Sequence, residues 1–457
     1  MTKQEAVIKY IEDNYLQFRR LRHDIVSDKL QIRMEADLEG STTLGASVQR
    51  SEAAVQNGSE LWREMTKNDI NSIVCHCAQE CDVNITTREV MTALQSDLIP
   101  DVHPLREYVL SLKPYTPDQP DWIDFVASQV RVADNAGSGV QEFRSSGVTS
   151  EQAQSATEPS EPLTSGNSAS RLWRTCFKKW FVAMVASWMR DDIVNHQVLV
   201  LIGKQGIYKT TWLEHLIPPH LRAYACKLAN SNELNKDERL RIAEFGLISL
   251  DEIDSMNNRE LNQLKSVITA TDVNERAAYA YTKERRVRLA SFCASGNRRD
   301  FLTDITGNRR WLPFEVESIQ NPFHTQLPYE QMYAQAWALA QDPFFSYWFD
   351  LDEIEVLEQH NQHFRDESNE EQLIDVYFAV PATDAVNTKF LTTAEISERL
   401  IYYGNIKKPM TLSRLGVLLS QKGFLSVRRG NPSRRGWIIY ERESQEVNAE
   451  RAILSKH

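Results

Sequence analysis

The sequence predicts an α/β fold whose core is a parallel β-sheet. Three short apolar runs have the length and composition of buried strands, at residues 198–203, 245–251 and 290–297. Helical patterns follow the first run at residues 209–216 and separate the other two at residues 258–270. Because strands that alternate with helices are typical of parallel sheets, these segments predict a parallel α/β core.

Length and composition limit the class of protein. A chain of 457 residues exceeds what one core usually organises, and 42% hydrophobic with 25% charged residues is typical of globular proteins. The net charge of -11 argues against a surface coated in nucleic acid, although a local basic patch remains compatible with it. Six cysteines without regular intervals and an N-terminus without an apolar stretch predict a cytoplasmic protein with no membrane segment.

Two polar stretches divide the chain. The insert at about residues 37–59 and the linker at residues 133–170 contain too few large apolar side chains to offset the entropy of ordering them. The predicted order is an N-terminal α+β region (1–132), the flexible linker (133–170), a core (171–350), a helical connector (351–390), a basic domain (391–445) and a tail (446–457).

The N-terminal region combines strand and helix patterns. Residues 21–33 predict two short strands, and residues 69–81 and 86–98 predict helices capped by Asn68 and Thr86. A zinc site is an alternative use of the cysteines in the first helix, but Cys75, Cys77 and Cys81 with His76 have poor ligand spacing, so it is disfavoured.

A thick apolar helix is predicted at residues 173–189, before the first predicted strand of the core. A glycine loop follows that strand. The loop reads GKQGIYKTT from Gly203. Gly203 and Gly206 allow a phosphate chain to approach backbone N–H groups, and Lys209 can reach the outer phosphates. The following residues, Thr210 and Thr211, complete the site, and the Thr210 hydroxyl can hold Mg²⁺. The segment predicts an ATP-binding P-loop; a plain glycine turn is the alternative.

An acidic pair supports the nucleotide interpretation. Asp251 and Glu252 follow the second predicted strand, so Asp251 would hold Mg²⁺ through water while Glu252 would orient or deprotonate the attacking water. Tyr208 stands where the general loop pattern has glycine, and it could alter the loop geometry or partly cover the nucleotide. Together, loop and acidic pair predict an ATP hydrolase with ATP and Mg²⁺ as cofactors.

Two further elements have polar groups suited to hydrolysis. Asn297 ends the third predicted strand, where its amide can position the lytic water, although strand-ending turns also favour asparagine. Arg309 and Arg310 form a basic turn that can stabilise transition-state charge, including on a neighbouring subunit's nucleotide. The alternative is a surface turn held by salt bridges.

These blocks, in this order, resemble the virulence-associated protein E family, which is similar to the superfamily 3 helicases. Those proteins are AAA+-type ATPases of viral, plasmid and mobile-element replication. The resemblance covers roughly residues 60–350 and rests on residues 203–211, 250–254, 264–265, 272–276, 290–297 and 301–313. It implies a P-loop AAA+-like core in which Lys209 and Thr210 form Walker A, Asp251 and Glu252 form Walker B, and Asn297 is the polar sensor.

The resemblance also implies roles for basic residues. It makes Arg309 or Arg310 the arginine finger, with Arg298 and Arg299 as alternatives. It aligns residues 265–288 with a region that carries a DNA-contacting hairpin, although a solvated charged loop is an equal alternative. The DNA-binding candidates of this stretch are Lys265, Lys283, Arg285 and Arg286.

A basic patch occupies the C-terminal part of the chain. Residues 401–440 contain eight Lys or Arg residues and no Asp or Glu. A helix at residues 412–422 and two strands around a basic turn predict a winged-helix-like domain that binds DNA, with protein binding as the alternative. Its candidate DNA contacts are Arg428, Arg429, Arg434 and Arg435.

The combined prediction is an ATP-dependent, DNA helicase-like motor that acts in replication of a mobile element, plasmid or phage. We expect a homo-oligomer, a hexameric ring on single-stranded or duplex DNA, with any primase as a separate partner. The alternative is a nucleotide-gated DNA-binding or loading switch without unwinding activity, which Tyr208 motivates.

Overall fold

The computed structural model describes ten segments of the chain: residues 2–33, 62–133, 168–229, 236–275, 284–302, 308–365, 368–381, 388–407, 409–429 and 433–454. The predicted insert at 37–59, most of the predicted linker and Lys283 lie outside them. The chain divides into two compact units, Met1–Arg299 with Arg309–Gln362 and Asp300–Asn308 with His363–His457. The predicted N-terminal region therefore belongs to the same unit as the predicted core.

The first unit begins with a small mixed sheet and its helices. Its elements are α1 (Lys3–Ile11), β1 (Leu21–Asp24), β2 (Lys29–Arg33), β3 (Trp62–Glu64), α2 (Lys67–Cys81), α3 (Thr87–Leu94), β4 (Asp101–Val102), α4 (Pro104–Ser111), α5 (Trp122–Ala127) and β5 (Val130–Val132). The sheet has the order β3-β2-β1-β4, with β4 parallel to β1. The two predicted strands and two predicted helices are confirmed.

The predicted cap of the first of those helices is wrong. Thr66 caps α2, because its hydroxyl accepts from the Asp69 N–H (3.3 Å) and the Asp69 carboxylate accepts from the Thr66 N–H (2.7 Å). This reciprocal pair satisfies two backbone donors at once, which Asn68 cannot do from inside the first turn. Thr86 caps α3 as predicted.

The cysteines of α2 differ in their surroundings. Cys77 is fully buried in the core of the small sheet, and burial raises the pKa of its thiol to about 12. Cys75, two residues earlier, is exposed. Cys77 therefore behaves as a small apolar core residue.

The remainder of the first unit contains the central sheet. Its elements are α6 (Ser168–Met189), β6 (Val198–Ile202), α7 (Lys209–His215), β7 (Ala225–Ala229), α8 (Lys236–Glu244), β8 (Leu247–Asp251), α9 (Asn258–Thr269), β9 (Asp272–Glu275), β10 (Glu284–Val287), β11 (Ser291–Gly296), β12 (Trp311–Ile319), α10 (Tyr329–Gln341) and α11 (Leu351–Asn361).

The central sheet has the strand order β5-β12-β6-β11-β8-β7. All neighbouring strands are parallel except β5, which is antiparallel to β12. Every residue of β6 and β11 is buried, as expected for strands covered on both faces. The predicted parallel α/β core is confirmed.

The helix α6 anchors this sheet through three fully buried tryptophans. The indole N–H groups of Trp180 and Trp188 donate to the carbonyls of Phe292 and Gly246, each at 3.1 Å. Trp173 donates to the Ala127 carbonyl at 2.9 Å. Because each buried N–H has an acceptor, these side chains contribute apolar area without an unpaired donor.

The second unit contains α12 (Asn369–Tyr377), β13 (Phe378–Ala379), β14 (Thr388–Leu391), α13 (Thr393–Gly404), α14 (Leu412–Gln421), β15 (Leu425–Arg429), β16 (Arg434–Glu441) and α15 (Ser444–Leu454). The strand β16 pairs antiparallel with β13, β14 and β15. The two helices and the basic hairpin predicted here are present. Across the described segments of both units, no helix has the length and apolar character that crossing a bilayer requires.

Candidate functional site

The candidate site lies at the carboxyl ends of three neighbouring parallel strands. Strand β11 lies between β6 and β8, with Gly296 opposite Ile202 in the register. The glycine loop follows β6, the acidic pair ends β8, and Asn297 follows β11. Ligands of open α/β sheets bind in the crevice outside the carboxyl ends of the strands, so this edge is where a site is expected.

The loop restricts which residues fit at three positions, by a close contact at Gly203 and by backbone conformation at Gly206 and Tyr208. A Cβ atom on Gly203 would lie 2.6 Å from the Val316 carbonyl oxygen, so only glycine fits there. Gly206 has φ +86°, and Tyr208 adopts a left-handed conformation with φ 67° and ψ 18°. Tyr208 therefore takes the backbone shape that glycine usually supplies, at a steric cost of about 1 kcal/mol.

Lys209 links the loop to the end of β11. Its Nζ donates to the carbonyls of Gly203 (2.8 Å) and Lys204 (2.7 Å) and to Asn297 Oδ1 (3.3 Å). Burial lowers the pKa of Lys209, although the carboxylates of Asp254 and Asp251 work in the opposite direction. The ammonium group is thus held over the loop by neutral acceptors that a phosphate oxygen could replace.

Three side-chain oxygens converge between α7, β8 and β11. Asp251 Oδ1 accepts from Thr210 Oγ1 (3.2 Å) and from Ser295 Oγ (2.8 Å), and the two hydroxyl oxygens lie 2.9 Å apart. Carboxylate and hydroxyl oxygens are hard ligands of the kind that suits Mg²⁺. Thr210 and Asp251 are thus brought together as predicted, whereas Ser295 was missed. Its only signal is its position two residues before Asn297.

Lys227 is a second residue that sequence reasoning missed. Its Nζ lies 2.6 Å from Asp251 Oδ2, and that hydrogen bond raises the pKa of Lys227. Burial works to raise the pKa of Asp251, but the hydrogen bonds from Lys227, Ser295 and Thr210 outweigh it and leave the pKa below its usual value. Asp251 is therefore ionised at neutral pH, as a cation-binding group must be.

Asp254 and Glu252 differ in how they are held. Asp254 Oδ1 and Oδ2 accept from the backbone N–H groups of Asn297 (3.2 Å) and Arg298 (3.1 Å), which fixes the end of β11. Glu252 is exposed in a left-handed conformation, and no hydrogen bond or ion pair within the described segments engages its carboxylate. Asp254 thus has a structural role, whereas the Glu252 carboxylate is available to interact with a ligand. Thr211 is half-buried on α7.

The structure does not bring Arg309 and Arg310 into this site. They immediately precede β12, whose first residue Trp311 lies opposite Val198 at the start of β6. The glycine loop follows the other end of β6, roughly 16 Å away for a five-residue strand. Arg298 and Arg299 instead follow Asn297 at the carboxyl edge, where Arg298 pairs with Asp254 and Arg299 pairs with Glu315.

The described DNA-binding candidates of the first unit lie on α9 and β10. Lys265 is on α9, half-buried. On β10, Arg285 is exposed and pairs with Asp272, whereas Arg286 is mostly covered and pairs with Asp28 at 2.6 Å. Arg286 is therefore held by an ion pair within the first unit.

The hairpin formed by β15 and β16, here called the arginine hairpin (residues 425–441), carries the other four candidates. Arg428 lies directly opposite Arg435, and Arg429 lies opposite Arg434. All four are exposed, and none has a carboxylate at ion-pair distance within the described segments. Like charges directly opposite each other on a sheet are destabilising, so the two arginine pairs lower the stability of the hairpin.

Comparison with known proteins identifies one domain. Residues 155–367 match the virulence-associated protein E-like domain, which confirms the family resemblance seen in the sequence. No curated protein matches the chain.

The solved structures that the chain resembles include apo forms of the C-terminal region of NrS-1. One has a TM-score of 0.43 at 10% identity and covers 93% of this chain and 98% of that one. Another has a TM-score of 0.41 at 9% identity, with coverage of 95% and 100%.

Proposed function

Because residues 155–367 match the virulence-associated protein E-like domain, we propose that this chain is a P-loop, AAA+-like ATPase that acts as a DNA helicase-like motor in replication of a mobile element, plasmid or phage. The observation that carries the proposal is the meeting of Lys209, Thr210, Asp251 and Asn297 within hydrogen-bond distance, from three separate segments. In P-loop NTPases a Lys of the loop holds the outer phosphates, and a Ser or Thr of the loop and an Asp of a neighbouring strand hold Mg²⁺, so this arrangement supports the proposal.

The loop residues would bind the nucleotide. Lys209 would exchange its carbonyl acceptors for the outer phosphates of ATP, and the glycines would let backbone N–H groups approach the phosphate chain. Thr210 and Asp251 would hold Mg²⁺, which supplies positive charge against the phosphates when it is bound. The convergent oxygens of Thr210, Asp251 and Ser295 support this assignment.

Hydrolysis would use the groups beside the loop. Glu252 would take the proton of the attacking water, and Asn297 would orient that water. An arginine from the neighbouring subunit of a hexameric ring would stabilise the transition-state charge. The position of Arg309 and Arg310 at the amino edge supports a role in trans, because they do not reach the site of their own chain. Arg298 and Arg299 remain the candidates in cis.

The second unit would bind DNA as a winged-helix-like module. The four arginines of the arginine hairpin support contact with the phosphates of single-stranded or duplex DNA. Lys265 and Arg285 are further candidates on the first unit. Any primase activity would come from a separate partner protein.

A nucleotide-gated DNA-binding or loading switch is the second candidate. The observation that favours it is the contact of Lys227 with Asp251, which places an ammonium group where a metal ion would bind. Nucleotide and Mg²⁺ would then displace Lys227 and change contacts between β7 and β8 without turnover.

ATP hydrolysis, strand displacement and particle mass, each with and without single-stranded DNA, separate the two functions. The motor predicts DNA-stimulated hydrolysis with unwinding, and Glu252→Gln abolishes both. Glu358→Gln, at an exposed position on α11, is the control and keeps them. Hydrolysis that DNA does not stimulate, with no displacement, would exclude the motor. A nucleotide-dependent change in mass or DNA affinity without turnover would identify the switch.

A further inference from the structure

An aromatic surface lies beside the glycine loop. Tyr208 is 39% exposed and Phe323 is 70% exposed, and their rings meet nearly edge to face with centroids 6.5 Å apart. The His215 ring is nearly perpendicular to the Phe323 ring, with centroids 5.4 Å apart. We call Tyr208, His215 and Phe323 the aromatic platform. Exposing the apolar surface of aromatic rings to water is unfavourable, so a cluster of exposed rings next to a polar site indicates a surface that binds a ligand.

Hydrogen bonds hold the chain at two residues of the platform, Phe323 and His215. Phe323 sits in a turn after β12, where Asn321 Oδ1 accepts from the Phe323 N–H (3.0 Å) and the Asn321 carbonyl accepts from the N–H groups of His324 (3.1 Å) and Thr325 (3.2 Å). His215 is fixed by a hydrogen bond between its Nδ1 and the Thr211 carbonyl (2.7 Å). The backbone that carries Phe323 and the ring of His215 are therefore held by hydrogen bonds within the chain.

We propose that the aromatic platform is the nucleobase subsite of the nucleotide site, an inference that rests on the proposed ATP-binding function. Tyr208 directly precedes Lys209, so one ring of the platform is next in the chain to the residue that would bind the phosphates. When the phosphates of a nucleotide occupy the loop, the ribose separates the base from the loop. The base then needs a flat apolar surface. Base faces stack on aromatic rings irrespective of sequence.

The geometry of the platform defines how the base binds. The planes of Tyr208 and Phe323 are 80° apart, so a base that stacks on one ring stands nearly perpendicular to the other. Stacked and perpendicular arrangements both match the charge distribution of aromatic rings. Phe323 is the more exposed ring and offers the stacking face. A purine has the larger face, so purine nucleotides bind more tightly than pyrimidine nucleotides.

Binding of two ligands to the full chain tests the proposal: ATP and inorganic tripolyphosphate, each with Mg²⁺, measured by calorimetry. Tripolyphosphate carries the phosphates without a base. Phe323→Ala weakens ATP binding about tenfold, equivalent to about 1.4 kcal/mol, and leaves tripolyphosphate binding unchanged. Phe323→Trp restores the ATP affinity, because the indole also stacks on a base.

A matched control exists in the same unit. Phe344 is 81% exposed, and its N–H donates to Asp342 Oδ1 at 2.9 Å, the same turn contact that holds Phe323. Phe344→Ala leaves both affinities unchanged and shows that loss of an exposed phenylalanine alone has no effect.

The outcomes separate the base subsite from the nucleotide site itself. If Phe323→Ala weakens both ligands equally, or neither, the platform does not bind a base and the inference is overturned while the ATP site stands. If the unmodified chain binds tripolyphosphate and ATP equally well, the base makes no contact, with the same consequence. If it binds neither ligand, the proposed nucleotide site is refuted, and the inference with it.

Discussion

The two basic hairpins of this protein use arginine in opposite ways. In the hairpin of β9 and β10, Arg286 pairs with Asp28, and Arg288 just beyond it is fully buried. In the arginine hairpin of the second unit, Arg428 and Arg435 face each other in solvent without a carboxylate partner among the described residues. Charge alone therefore does not identify a nucleic-acid surface, since the same residue type serves structure in one hairpin and is left available in the other.

Arg288 explains why the first hairpin is structural. Its guanidinium donates to the carbonyls of Val267 (3.4 Å) and Ala270 (3.3 Å) at the end of α9, and to the Asn195 carbonyl (2.8 Å). Burial lowers the pKa of Arg288 to about 9, so the group is still charged at neutral pH. It supplies donors to carbonyls at the end of α9, where a helix cannot supply all of them itself.

The largest effect is expected for Arg288→Ala. Removing the guanidinium leaves several buried carbonyls unsatisfied, so the free energy of unfolding of the first unit falls by about 3 kcal/mol or more. Urea unfolding followed by tryptophan fluorescence measures this loss. Arg285→Ala on the same hairpin is the control, because its exposed pair with Asp272 is worth less than about 1 kcal/mol. Equal losses in both variants would show that burial does not distinguish these arginines.

In the arginine hairpin, we expect substitutions to lower DNA affinity and not stability. The double variant Arg428→Ser with Arg435→Ser is expected to weaken DNA binding about tenfold at physiological salt and to reduce the slope of log affinity against log salt by about 2. Thermal stability stays the same or rises slightly, because a facing pair of like charges is removed. Fluorescence anisotropy with labelled DNA measures the affinity and its salt slope.

Lys389→Ser is the control for that double variant. Lys389 is an exposed cation of the same unit, but it pairs with Glu441 at 2.6 Å. Its loss should leave the salt slope unchanged. An unchanged DNA affinity in the double arginine variant would contradict a DNA-binding role for the arginine hairpin.

The smallest effect is expected for Arg286→Ala. The Arg286 side chain is only 17% exposed and pairs with Asp28, so its removal costs roughly 1 kcal/mol of unfolding free energy. DNA affinity in the same anisotropy assay should not change. A loss of DNA affinity as large as that of the double variant would show that Arg286 contacts DNA and would remove the contrast between Arg286 and the arginine hairpin.

Local sequence patterns predicted the elements of the site but not all of its contacts. The strand before Gly203, the acidic pair at Asp251 and the amide at Asn297 are each recognisable within a few residues. Lys227 and Ser295 are not, because their roles depend on the strand order of the sheet, which places β7 beside β8 and β11 between β8 and β6. Strand order is set by packing across the whole unit and leaves no local pattern.

The position of the arginine turn depends on strand direction. The sequence predicts that Arg309 and Arg310 stabilise transition-state charge, including on a neighbouring subunit's nucleotide, but it does not predict where the turn lies. The next strand, β12, is parallel to β6, so the chain must return to the opposite edge before β12 begins, and the two arginines are carried there. Only an arrangement with a neighbouring subunit would bring them to a nucleotide.

The rate of phosphate release from ATP, with single-stranded DNA present, tests the central claim most directly. The unmodified chain should hydrolyse ATP faster with DNA than without it, and Lys209→Ala should reduce the rate at least a hundredfold, because it removes the cation held over the loop. Lys9→Ala, an exposed lysine on α1, should retain the full rate. Equal hydrolysis by the Lys209→Ala variant and the unmodified chain would contradict the assignment of this loop as the catalytic nucleotide site.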